Sequence, residues 1–342
     1  MARTKVGIKD VARAAGVSVG TVSNVVNRPD VVAASTRVRV QSVIDELGYV
    51  RDGSARQLRI GTSRTMALLV LDLGNPFFVD VARGAEQAAQ EAGLQLITCN
   101  SGQRVETESA YLAMLTEQRV RGVLLSPVDT SGERLARFRR SGIPHVFVDR
   151  TVPAAEACSV AVDDVAGGEL AARHLVETGH THIAFVTGPR ILTQCRDREA
   201  GVRNALAAAP PPGRSLSVLD APALDVASGR DAGARLLGMS PRPTAVFCAN
   251  DLLALGVLQA LVAADVRVPD EMAIVGYDDI EFAGAAAVPL TSVRQPAARM
   301  GHTAAELLIA ETSDREGAAH AHETVVYLPE LVVRRSTQIR RR

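Results

Sequence analysis

Ile8-Lys9-Asp10-Val11-Ala12-Arg13-Ala14-Ala15-Gly16-Val17-Ser18-Val19-Gly20-Thr21-Val22-Ser23-Asn24-Val25-Val26-Asn27 is the run on which the reading of this chain turns. Apolar or small residues at Ile8, Val11, Ala12 and Ala15 repeat with the period of one helical face. Gly16 then suits a helix end, because it accepts positive φ without a Cβ clash. Ser18 can cap a second helix, reaching about Val26, by offering its hydroxyl to an orphan N–H. Val22, Val25 and Val26 form the buried stripe of that helix. Ser18, Val19, Gly20, Ser23, Asn24 and Asn27 are left facing outward, a nearly uncharged surface of the kind that enters a DNA groove and touches base edges. A third helix is expected from Ser35 or Thr36, burying Val40, Val43, Ile44 and Leu47 and stopping at Gly48. Helix, tight glycine turn and second helix make a helix-turn-helix unit.

Charge is distributed unevenly around this run. The 38 basic and 38 acidic residues of the chain cancel, yet residues 1–64 hold eleven basic side chains against five acidic ones. A basic end on an acidic body points to a polyanionic partner for that end. The 342 residues allow two or three domains, and an apolar content of 47% gives each a core and argues against disorder. No apolar run is long enough for a transmembrane helix. The first ten residues turn charged again before an apolar h-region develops, so no secretory signal is read. Four cysteines without a CxxC pair offer neither a disulfide framework nor a zinc cluster. The expectation is a soluble, cytoplasmic protein with no cofactor and no metal.

Ile8-Lys9-Asp10-Val11-Ala12, Ala15-Gly16-Val17-Ser18, Thr21-Val22-Ser23, Val26-Asn27 and Leu47-Gly48-Tyr49 together resemble the headpiece of the LacI family of bacterial transcription regulators. Later segments extend the resemblance over nearly the full chain. It implies a headpiece over residues 1–50, a hinge helix and linker over 51–64, and an effector-binding, dimerising body over 65–342. It also implies a repressor that binds a palindromic operator as a homodimer. Val19, Gly20 and Asn24 fall on the family's base-reading positions. Asn24 is the reader with the most suitable chemistry, since its amide bonds adenine bidentately; Val19 can touch a thymine methyl, and Gly20 has no side chain to read with. Ser18, Thr21, Ser23 and Thr36 match phosphate anchors, which set register rather than sequence preference.

After Tyr49 the family carries a short hinge helix that folds on the operator and inserts a leucine wedge into the minor groove; Ala55, Arg56 and Leu58 match that pattern. A helix this short is unstable alone in water, so its folding is expected to depend on DNA and on the dimer mate, with Leu58 kinking the duplex. Arg51 replaces the usual proline and Gly53 falls inside the helix, while Asp52 still serves as a cap.

Beyond residue 65 the hydrophobic period changes. Apolar runs at 66–71, 94–99, 123–126 and 146–149 read as buried parallel strands separated by helical patterns, and the alternation recurs at 183–187, 246–248 and 273–277. Two doubly wound α/β lobes follow. The family resemblance implies a periplasmic-binding-protein-like body in which the chain crosses between lobes near Asp163, Ser292 and Glu323. The N-lobe would then hold about 65–162 and 293–323, and the C-lobe about 163–292 and 324–342.

Ligands of open α/β sheets bind beyond the carboxyl ends of the strands. Asp149, Asn250, Asp251, Asp278 and Asp279 follow such ends, and Arg198 opens a helix, so these side chains are expected to converge on one cleft. Asp, Asn and Arg suit a polyhydroxylated ligand. By resemblance, effector contacts fall on Arg198, Asn250 and Asp278, with Asp149 more variable. Asn75-Pro76-Phe77-Phe78 matches the loop after the first strand, where Phe77 or Phe78 supplies an apolar wall in a chain without Trp. Leu224 stands where some members carry a stacking aromatic, which weighs against a flat nucleobase. Cys195 is a further candidate for the cleft. The effector is expected to be a sugar or sugar phosphate, with a nucleobase or a protein co-regulator as alternatives. A sugar-binding receptor would explain the body but not the headpiece. No catalytic constellation supports an enzyme: the seven histidines show no partnered nucleophile and no HExxH spacing.

Overall fold

The computed structural model describes residues 6–49, 63–128, 133–208, 214–313 and 320–338. They fall into two compact units divided at Thr62/Ser63.

The first unit is three helices: α1 (Ile8–Ala15), α2 (Val19–Asn27) and α3 (Ala34–Leu47). Gly16 ends α1 and Gly48 ends α3, each left-handed with φ near +60°. Ser18 caps α2, its Oγ accepting from Thr21 N–H at 3.0 Å. Val11, Ala12 and Ala15 of α1 pack with Val22 and Val25 of α2 and Val40 of α3. Two expectations need correction. Helix α3 starts one residue before Ser35, on the good helix former Ala34. Leu47 lies outside the core at 36% exposure, because a unit this small cannot bury every position of its stripe.

The second unit is two α/β lobes. The first sheet has the order β11-β5-β4-β3-β1-β2 and is wholly parallel: β1 (Thr65–Val70), β2 (Gln95–Asn100), β3 (Gly122–Leu125), β4 (His145–Val148), β5 (Cys158–Val162) and β11 (Thr324–Tyr327). Helices α4 (Pro76–Glu91), α5 (Val105–Glu117), α6 (Glu133–Arg140) and α12 (Ala297–Ser313) belong to it. The second sheet has the order β12-β10-β9-β8-β6-β7: β6 (His182–Thr187), β7 (Ser215–Asp220), β8 (Ala245–Cys248), β9 (Ala273–Asp278), β10 (Thr291–Arg294) and β12 (Glu330–Val332), of which only β12 runs antiparallel. Its helices are α7 (Asp164–Glu177), α8 (Thr193–Ala208), α9 (Val226–Leu237), α10 (Asp251–Ala263) and the short α11 (Glu281–Ala285). Residues 66–70 are fully buried, as both faces of a parallel sheet are covered. Edge strand β2, expected to be buried, instead exposes Ile97 at 39%.

The lobe boundaries are shifted from those expected. The chain first leaves this sheet after β5, which ends at Val162. Thr291–Arg294 pairs in parallel with β9, so the chain stays in the C-lobe until residues 295–296 rather than leaving at Ser292. Thr324–Tyr327 pairs with β5, so the third crossing comes after Tyr327 rather than at Glu323. In both cases the strand edge still had an unpaired ladder to satisfy. Ser63 and Arg64 belong to the body: Ser63 is buried, and the Arg64 guanidinium donates to the Gly93 carbonyl.

Helix pairs α4/α12 and α7/α8 pack through small residues. A Cβ on Gly84 would collide with the Ala298 carbonyl and one on Gly301 with that of Val81. Likewise Gly168 meets the Arg198 carbonyl and Gly201 that of Val165. The second contact carries Arg198 to the floor of the cleft. Among the described residues no helix is long and apolar enough to cross a membrane.

Candidate functional site

On α2 the side chains at positions 19, 23, 20 and 24 lie within about 140° of arc at 3.6 residues per turn, opposite buried Val22 and Val25. Val19, Gly20 and Asn24 are exposed, and α2 carries no charge. The anchor positions are less free. The Ser18 and Thr21 hydroxyls bond each other at 2.9 Å, and Asn27 Nδ2 donates to the Ser23 carbonyl and hydroxyl at 2.7 and 3.2 Å. Thr36, half-buried, sits in the first turn of α3. Ala55, Arg56 and Leu58 lie outside the described residues.

In the body, Asn75, Phe77, Phe78, Asp149, Arg198, Leu224, Asn250 and Asp278 all line one cleft between the lobes, of about 390 Å³ counting its open mouth. The elements explain the convergence. Asn75 caps α4, its Oδ1 accepting from Phe77 N–H at 3.1 Å, and Pro76 in the first turn presets the helix. Asp149 follows β4 at φ 61° and Asp278 ends β9 at φ 99°. This left-handed backbone, which Asp tolerates better than most residues, turns both carboxyl groups off their strands. Asn250 caps α10 through Leu253 N–H at 2.9 Å and donates to the Leu224 carbonyl at 3.0 Å, so most of its side chain is committed to structure.

Arg198, 3% exposed, is the electrostatic centre. Its Nε donates to Asp164 at 2.7 Å, its Nη1 to the Ala249 carbonyl at 2.5 Å, and its guanidinium stacks on the Tyr277 ring at 3.6 Å. Asp278 lies 4.0 Å from the same Nη1. Asp278 also joins the lobes: Asn75 Nδ2 donates to one carboxylate oxygen and Gln295 Nε2 to the other, each at 2.8 Å. A further inter-lobe bond runs from Gln194 to Asp149 at 3.3 Å, and Arg150 donates to Thr193. Burial pushes the Asp278 carboxyl up to about 6, against the opposing pull of Arg198 and of the two amide donors. Burial and the neighbouring charge of Asp164 hold Asp149 well above the usual carboxylate range. Asp149 Oδ1 and Gln295 Oε1 are buried without a hydrogen-bond partner among the described residues.

Three candidates for the cleft do not reach it. Asp251 is buried beneath β9, accepting from Ser292 Oγ at 2.7 Å and Ile280 N–H at 2.9 Å. Asp279 pairs with Arg294 at 2.7 Å and with Arg334. Cys195 is fully buried under Leu224 and Gly188, its thiol pushed up by burial. Conversely Leu71, Asp72, Gln103, Gln194 and Gln295 also line the cleft. Asp72 follows a strand end and was legible on that ground; the glutamines carry no local signal.

Residues 7–52 match the model for bacterial regulatory proteins of the lacI family, and residues 172–337 that for the periplasmic binding protein-like domain. An HTH-type transcriptional repressor PurR of Vibrio campbellii (strain ATCC BAA-1116) is 37% identical over 336 residues, 97% of this chain and 98% of that protein. The solved transcriptional regulator CelR–cellobiose complex is 33% identical with a TM-score of 0.73, covering 97% of this chain and 99% of its own. The lac repressor dimer bound to operator and the anti-inducer ONPF gives a TM-score of 0.79 at 26% identity, over 98% of this chain and 100% of that one.

Proposed function

The chain belongs to the lacI family of bacterial regulatory proteins, as a DNA-binding transcriptional repressor, and on that premise we propose that its effector is a neutral sugar held between the two lobes. The pair of open acceptors, Asp149 Oδ1 and Gln295 Oε1, carries this reading. A buried acceptor left unmatched costs about 1–3 kcal/mol, so the cleft favours a ligand that brings donors. Vicinal hydroxyls do so. Asp72, Asp149 and Asp278 face the cleft against one guanidinium already engaged by Asp164, which disfavours a sugar phosphate. Phe77 and Phe78, edge to face at 5.0 Å, offer an apolar wall for the C–H face of a sugar ring. The bound cellobiose of the similar CelR complex agrees with this chemistry.

The same aromatic wall favours a second reading, a nucleobase donating through its N–H groups. Calorimetric titration of the full chain with neutral sugars, sugar phosphates and nucleobases decides between them. A neutral sugar is expected to bind, and Asp149→Asn to weaken it about 10- to 100-fold, the cost of one mismatched buried hydrogen bond. Binding confined to a nucleobase or an anionic sugar overturns the sugar assignment.

In this reading the chain acts as a homodimer on a palindromic operator, one headpiece per major-groove half-site. Val19, Gly20 and Asn24 face the bases; Ser18, Thr21, Ser23 and Thr36 hold phosphates; Ala55, Arg56 and Leu58 form the minor-groove hinge. Because the cleft is walled by both lobes, ligand changes how they close on each other, and effector and operator affinities are linked reciprocally by about 1–3 kcal/mol.

A further inference from the structure

On the N-lobe, away from the cleft, the tertiary fold gathers four metal-ligating side chains that the sequence scatters. Cys158 is the first residue of β5. Parallel pairing of β11 with β5 sets Thr324 beside Ser159, and Ser159 N–H donates to the Glu323 carbonyl at 2.9 Å, so the preceding His320-Ala321-His322 stretch runs past Cys158. Glu311 comes from the last turn of α12. One ligand atom from each of Cys158, Glu311, His320 and His322 lies within 4.8 Å of all the others.

We propose that Cys158, Glu311, His320 and His322 bind one zinc ion. Cys158 Sγ is 3.4 Å from His320 Nε2 and 3.7 Å from His322 Nδ1. Zinc bonds of about 2.3 Å to sulfur and about 2.0–2.1 Å to nitrogen, at a tetrahedral angle, require an S···N edge of about 3.6 Å. The two observed edges bracket that value. Glu323 N–H donates to the same sulfur at 3.3 Å, the kind of outer contact that steadies a metal-bound thiolate. Thiolate with two imidazoles selects zinc over the hard cations magnesium and calcium. A thiolate and a carboxylate neutralise the ion, which suits a half-buried position. Four protein ligands close the coordination sphere, so the ion is structural rather than hydrolytic. It would tie the end of α12 to the amino-terminal ends of β5 and β11, at the opposite end of the first sheet from the cleft. Binding would release the thiol proton and so strengthen with rising pH.

The test uses the untagged, chelator-treated full chain titrated with cobalt(II) as a coloured surrogate. The expected result is a thiolate-to-cobalt charge-transfer band with intense tetrahedral visible bands, saturating at one equivalent per chain and displaced by zinc. Cys158→Ser is expected to abolish the charge-transfer band. His320→Gln and His322→Gln should each weaken cobalt by more than about 100-fold, since outer-sphere partners alone are worth 10–100-fold. The two histidine variants keep the test valid if Cys158→Ser does not fold. No cobalt spectrum in the parent chain, or a spectrum unchanged in the folded variants, overturns the proposal.

Discussion

Replacing Asp278 by Asn isolates the cost of holding a carboxylate at the lobe interface. Its pKa of about 6 in the folded chain stands against an ordinary value of 3.8. The folded state therefore binds the proton more tightly than the unfolded chain. For an acid raised in this way the penalty is absent below pH 3.8, grows as pH rises through the interval, and is complete above about pH 6. At 1.36 kcal/mol per pKa unit the penalty is about 3 kcal/mol, undiminished by solvent because the side chain is only 3% exposed. Asn cannot ionise, so the variant gains about 3 kcal/mol relative to the parent between pH 4 and pH 7. Asp149 moves the same way: the Asp278 charge helps to hold its pKa up, and removing that charge relaxes it. The substitution also sets an amide against the Asn75 or Gln295 donor, a loss on the order of 1–3 kcal/mol that is nearly independent of pH, whereas the attraction of Arg198 for the anion is already contained in the raised pKa. Urea unfolding of parent and variant at four pH values from 4 to 7 separates the two effects, because only the first changes the difference between the curves. A stability difference that stays flat across that range would refute the assignment of a raised, buried carboxyl to Asp278.

Three further outcomes follow from the geometry. Gly201→Ala drives a methyl into the Val165 carbonyl and should destabilise the body by about 1–3 kcal/mol, read as a lower unfolding midpoint with weakened effector binding, since the same contact seats Arg198. Asn24→Ala should leave headpiece stability within about 0.5 kcal/mol, as an exposed surface change does, while flattening discrimination at one operator base pair in a gel-shift series. Leu58→Ala should weaken operator binding well beyond its effect on non-specific DNA; equal losses on both would remove the wedge role.

The headpiece was readable because its signals are local. Gly16 and Gly48 end helices at the positions their neighbours demand, and the Ser18 cap acts over three residues. The cleft was readable to the extent that strand ends are: Asp149, Asn250 and Asp278 are where an α/β sheet presents its ligands. The strand end by itself did not tell which of the two adjacent carboxylates turns into the cleft; only the family resemblance favoured Asp278 over Asp279. Asp278 turns outward on a left-handed backbone while Asp279, one residue on, is captured by Arg294 and Arg334. Asp251 is drawn beneath β9 because Gly276 leaves room for its carboxyl. Edge strand β11 was placed in the wrong lobe and β10 was divided between the two, because a short strand carries no mark of the sheet it will join.

Periodicity, caps and glycines act between residues a few positions apart, and they were enough to specify the helix-turn-helix, the alternation of strands and helices, and the pool of polar residues at the strand ends. Long-range register supplied the rest. Asn75 and Asp278 meet across 203 residues of chain, and Cys158 and His320 across 162. Such meetings depend on which strands pair and how closely glycine-lined helices pack. They arise from the summed burial of two sheets, which no local window of the chain contains.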